Sequence, residues 1–126
     1  IISKNFKIKK IKNNSKSLKN GLLEMYMSNQ WYLLKQIKKN NKLDVTILHE
    51  SIISKIKATK IDFISGINGS NRLKKLVNSK KFNIAFKLSP TNISSVMRIA
   101  DKKRFMPPKS TWFHPKPLDG LICSEL

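Results

Sequence analysis

Residues 105–122 read Phe-Met-Pro-Pro-Lys-Ser-Thr-Trp-Phe-His-Pro-Lys-Pro-Leu-Asp-Gly-Leu-Ile, and they restrict the chain more than any other stretch. They hold four of the five prolines and one of the two tryptophans. Each proline sets φ at about −65° and removes a backbone donor, so the segment cannot be a helix and must follow a stiff, extended path.

The regular elements are read from periodicity upstream of that segment. Leu22–Met27 and Gln30–Gln36 are apolar-aromatic runs joined by Ser28-Asn29; asparagine tolerates positive φ, so a tight hairpin is expected. After a polar loop at 37–43, Asp44 is expected to cap a helix carrying Val45, Leu48, Ile52, Ile53 and Ile56 at helical spacing. Residues 60–65 read as a short strand. Gly66 and Gly69 punctuate the next loop, and Ser70 caps a second helix with Leu73, Leu76 and Val77 inward. Phe82, Ile84, Phe86 and Leu88 occupy every second position, a strand pattern stopped by Pro90. Thr91 then caps a third helix with Ile93, Val96, Met97 and Ala100 inward, and 120–124 can form a last strand. The order ββαβαβα-loop-β implies an α/β fold, or the α+β variant, with about three helices covering a mixed sheet. Residues 1–20 carry seven lysines and no carboxylate, with only Phe6, Ile8 and Ile11 to form a face. They read as a basic tail or severed linker, leaving 21–126 as a single domain.

The net charge of +19 suggests nucleic acid, because lysine and arginine neutralise phosphates and release counterions. The composition offers another cause. The 26 basic residues are 23 Lys and 3 Arg, beside 16 Ile and 12 Asn but only 3 Ala and 4 Gly, the signature of an AT-rich genome. Arginine, the better reader of guanine edges and phosphate, is scarce. Mutational bias is therefore taken as the main source of the charge, with some non-specific affinity for polyanions as a by-product. The single cysteine, Cys123, can form neither an intramolecular disulfide nor a cysteine-based zinc site, so a reducing cytoplasm is expected. No apolar run approaches the roughly 20 residues of a membrane-spanning helix, and no membrane partner is expected. The chain opens on Ile1 rather than Met, and we expect it to be the C-terminal part of a longer protein.

Met106-Pro107-Pro108-Lys109-Ser110-Thr111-Trp112-Phe113, followed by Pro115-Lys116 and Gly120-Leu121, resembles the closing signature of a bacterial and archaeal family, domain of unknown function ten-fifteen. Leu43-Asp44-Val45-Thr46-Ile47-Leu48-His49-Glu50 is similar to a second segment of that family. So are Ile61-Asp62-Phe63-Ile64-Ser65-Gly66, Ala85-Phe86 and Ile99-Ala100-Asp101. The resemblance covers about residues 22 to 126. It implies a C-terminal domain whose full-length members carry an upstream Asp-Gly-His-His-Arg segment like that of ParB-like proteins and free-serine kinases. That segment does not occur here. The implied partner is then a missing N-terminal domain, and the implied cofactor, in the full-length protein only, a nucleotide.

Two readings of the proline segment stay open. Lys109-Ser110-Thr111 echoes the end of a phosphate-binding loop, but Pro107 and Pro108 before it have no N–H to offer, so a nucleotide loop is set aside. Lys109, Ser110, Thr111 and Lys116 could instead hold a small anion by side chains, with Pro107, Pro108, Trp112, Phe113 and Pro115 anchoring the loop. The alternative is scaffolding alone. His49 falls inside the apolar stripe of the first helix, where a packed core histidine is the default and a ligand or proton-transfer role the alternative. His114 is given no role. Among the carboxylates, Asp44 reads as a cap, Glu50 as exposed, Asp119-Gly120 as a turn, and Asp62 and Asp101 are the two to screen. Trp31, Tyr32, Trp112 and Phe113 could stack bases if exposed, but aromatics in apolar strands are usually core. No metal site is expected from two histidines and one cysteine. The first functional expectation is a cytoplasmic domain, not catalytic alone, whose proline loop completes an anion or phosphate site. The alternatives are a basic nucleic-acid-binding module, recognisable by lysines gathered on one face, and a purely structural or assembly domain.

Overall fold

Residues 2–38, 42–56, 58–64, 66 and 69–107 are described by the computed structural model. Four strands form one sheet: β1 (Phe6–Ile11), β2 (Leu22–Met27), β3 (Gln30–Gln36) and β4 (Ala85–Lys87). Their spatial order is β1-β3-β2-β4, and every pairing is antiparallel. Three helices accompany them: α1 (Asp44–Leu48), α2 (Gly69–Asn78) and α3 (Ile93–Asp101). The fold is α/β with antiparallel pairing, so parallel strands are absent from the described sheet.

The β2–β3 hairpin follows from its turn chemistry. Ser28 and Asn29 both have positive φ, 50° and 60°, the pairing a two-residue I′ turn requires. Register then sorts the side chains. Leu23 and Met25 share one face with Leu34, Tyr32 and Phe86, and α1 seals it with Ile47 and Leu48, joined by Ile52 from the turn that follows. Tyr26 and Trp31 share the other face, where Val77 and Leu73 of α2 cover them. Burying a large apolar side chain contributes roughly 1.5–3 kcal/mol, so the first face, with seven buried residues, holds most of the stability.

Several expectations are corrected. Residues 1–20 are not simply a tail: Phe6–Ile11 pairs along the whole of β3, and Phe6 is buried. A lysine-rich run becomes a strand because β3 offers an unpaired edge and Phe6 plugs the core beside Leu34. Because β1 lies beside β3 rather than β2, residues 12–21 must travel back along the sheet, and Leu18 is buried on the way. Residues 60–64 form no strand, and the alternating 82–88 run pairs only at Ala85–Lys87. The strand expected at 120–124 lies outside the described residues.

The helix ends also differ. Leu43, not Asp44, is the N-cap of α1. The Asp44 carboxylate instead accepts from the Gly21 N–H, Gln36 Nε2 and Ser89 Oγ, tying three other segments to the helix start. After α1 the chain widens into a π turn at His49–Ile53, with Ser54 N–H donating to the His49 carbonyl. That extra residue shifts the phase of the apolar stripe beyond it, and Ile56 stays exposed; within α1 it is Ile47, beside Leu48, that is buried. Asn92, not Thr91, caps α3 by accepting from Ser95 N–H at 2.8 Å. Ile93 and Met97, expected inward, are exposed, and Ser95 is the buried residue of that helix.

Candidate functional site

The sequence places one acid inside an apolar strand, and the structure makes it a focus. Glu24 sits between Leu23 and Met25 on β2, and its side chain points to the opposite face, where it is fully buried. Ser15, on the returning 12–21 segment, donates to Glu24 Oε1 through its backbone N–H at 2.7 Å and its hydroxyl at 2.5 Å. Lys87, directly opposite on β4, lies 3.6 Å from Oε2, which accepts no hydrogen bond among the described residues. The Lys87 ammonium also donates to the Ser15 carbonyl. A buried carboxylate is tolerable only with such partners. The trio pins the 12–21 segment against the sheet.

That pinning opens a pocket of about 320 Å³ between the segment and the start of α2. Its walls are Asn14, Ser15, Lys16, Ser70, Asn71 and Lys87, with the glycines Gly66 and Gly69 at the helix approach. Among the described residues no carboxylate lines it, although Glu24 lies behind Lys87 and Ser15. Ser70, expected as a cap, lies inside the first turn and accepts from Asn14 Nδ2 at 2.7 Å, which closes one wall. Gly69 adopts φ +60°, a conformation glycine takes without strain. The first turn of α2 carries no acid, and the helix dipole turns its positive end toward the pocket. The Lys16 ammonium, the Lys87 ammonium held by Glu24, two side-chain amides, the Ser70 hydroxyl and a helix start make an environment suited to a small anion.

The residues singled out from sequence distribute differently. Lys109, Ser110, Thr111 and Lys116, and the anchors Pro108, Trp112, Phe113 and Pro115, lie outside the described residues. Pro107 is half-buried. His49 is exposed, not packed in the core, because α1 turns Ile47 and Leu48 inward and the next position falls outside that face; it borders a wide, mainly apolar groove lined also by Leu48, Ile53 and Val96. Asp62 is exposed and accepts from the Phe63 N–H, and Asp101 is exposed at the end of α3. Glu50 forms an exposed ion pair with Lys42 at 2.6 Å. Trp31 is buried, its ring tilted 47° against Tyr26 at 4.8 Å between centroids, and cannot meet a base. The pocket residues were missed because nothing in linear order links 14–16, 70–71 and 87. One signal was available: Glu24 is the lone charge in Leu22–Met27, an inward-facing acid that demands a partner.

Among the described residues, no helix is long and apolar enough to cross a membrane, and no three His, Cys, Asp or Glu side chains gather as metal ligands. Comparison with protein-family models, curated proteins and solved structures gives no match. The functional reading therefore rests on geometry.

Proposed function

We propose that this chain is an anion-binding domain of a cytoplasmic protein, not catalytic alone, that holds a phosphate-sized group at the start of α2. The observation that carries this reading is the pocket lined by Lys16 and Lys87 at the helix start, with no carboxylate among the described residues of its wall. Lys87 is oriented by Glu24 and Ser15 and supplies positive charge from a half-buried strand position. Lys16 and Asn71 are exposed and free to close on the anion. Helix N–H groups and lysine side chains are the usual partners of a phosphate. The proline segment joins this reading through Lys109, Ser110, Thr111 and Lys116, which would add donors to the same class of ligand.

Calorimetric titration with inorganic phosphate and pyrophosphate tests it. Lys16→Ala and Asn71→Ala sit on exposed positions and should leave the melting temperature unchanged. Lys16→Ala should weaken binding by about tenfold or more, since a bond to a charged group is worth roughly 1.5–3 kcal/mol. Absence of phosphate binding, or binding indifferent to both substitutions, would sink the reading. Lys109→Ala tests the proline segment separately: reduced affinity brings it into the site, and unchanged affinity leaves it as scaffolding.

A further inference from the structure

Most lysines of this chain are spread over its surface, but three are not. In the register of β1 and β3, Lys7 stands directly opposite Lys35, and Lys9 lies two residues further along β1 on the same face. All three are exposed. The side chains sharing that face near them are Leu22, Leu33 and Glu24, of which Glu24 is buried and engaged by Ser15 and Lys87. The 12–21 segment crosses this face where Ser15 meets Glu24, and beside it, on this half of the sheet, Lys7, Lys9 and Lys35 stay exposed with no free acid among the described residues near them. Helix α2 packs on the other half, against Tyr26, Trp31 and Ala85, and leaves the lysines uncovered.

Like charges directly opposite across a strand pair are destabilising, so this arrangement opposes folding unless a polyanion relieves it. We propose that the β1–β3 half of this sheet face docks the phosphate backbone of double-helical nucleic acid without reading its sequence. Lys7 and Lys9 are separated by about 6.8 Å along the strand, two residues at 3.4 Å. Successive phosphates of one duplex strand wind around the axis and lie farther apart than the roughly 3.4 Å axial rise, so two lysines at this spacing can meet neighbouring phosphates. A single-stranded ligand is disfavoured because stacking needs exposed aromatics, and Tyr26 and Trp31 on this face are buried. A lipid surface is disfavoured because the half-buried Leu22 and Leu33 are the apolar side chains beside the lysines, and neither projects to insert. This surface is separate from the anion pocket, since Lys7, Lys9 and Lys35 do not line it.

Charge alone would attract DNA, so the test must separate placement from total. The triple variant Lys7→Gln, Lys9→Gln, Lys35→Gln is compared with Lys55→Gln, Lys81→Gln, Lys102→Gln, which removes the same charge from exposed positions elsewhere. Anisotropy of a labelled random-sequence duplex is followed from roughly 50 to 200 mM salt, where each lost phosphate contact lowers the log–log slope by about 0.9. The sheet variant should lose about 2.7 from the slope, and the control should keep nearly all of it. A thermal melt of the sheet variant should be no lower than that of the parent, which excludes unfolding as the cause. Equal losses in both variants would overturn the proposal. So would a sheet variant that binds like the parent, or lysine-dependent binding to phosphatidylserine vesicles without binding to duplex.

Discussion

The two faces of the central sheet are built from the same strands yet obey different rules. The face under α1 is filled by Phe6, Leu23, Met25, Leu34, Ile47, Leu48 and Ile52, all buried and all apolar. The opposite face carries a buried acid, a half-buried lysine, an aromatic pair and, beyond the reach of α2, three exposed lysines. Apolar burial is non-directional, so the first face needs only volume and coverage. A buried carboxylate needs partners at bonding distance, so the second face needs the 12–21 segment and β4 placed to within fractions of an ångström. Stability is concentrated on one side and specificity on the other.

The contrast is most easily broken at Leu34. It is fully buried under α1, and Leu34→Ala should cost about 2–5 kcal/mol through lost burial and the cavity left behind. Chemical denaturation measures it, and a loss below about 1 kcal/mol would mean this face is not the stabilising one. The polar face should respond less. Glu24→Ala removes the acceptor of both Ser15 donors and leaves Lys87 with the Ser15 carbonyl, so a cost of about 1–3 kcal/mol is expected. Lys87 keeps 22% of its side-chain surface exposed and can turn to water, which holds the cost below that of a fully buried orphan charge. Glu24→Gln retains an acceptor for Ser15 and should cost less than Glu24→Ala; the reverse order would remove Ser15 from the account. The smallest effect belongs to the lysine row. Lys7→Gln relieves its repulsion with Lys35 and should raise stability by a few tenths of a kcal/mol at low salt, a gain that fades as salt rises.

The β2–β3 hairpin was legible because everything it needs is local: two alternating runs and two residues that accept positive φ. Helix α2 was legible for a similar reason, Leu73 and Val77 of its apolar stripe meeting the sheet as the spacing predicts. Strand β1 was hidden because Lys-rich sequence has little strand preference; its pairing is supplied by the open edge of β3. Asp44 read as a cap, yet its carboxylate is drawn to Gly21, Gln36 and Ser89, partners that reach it only once the chain has folded back.

Composition and periodicity by themselves determined an α/β chain with a tight hairpin, amphipathic helices and an excess of lysine, because hydrophobic spacing and turn chemistry act between near neighbours. Tertiary structure alone decided that Phe6–Ile11 joins the sheet, that His49 faces outward, and that Glu24 meets Ser15 and Lys87. It also decided where charge collects, since strand register, not sequence distance, sets Lys7 against Lys35. Such meetings depend on register and on segments far apart in sequence, and no local preference encodes them.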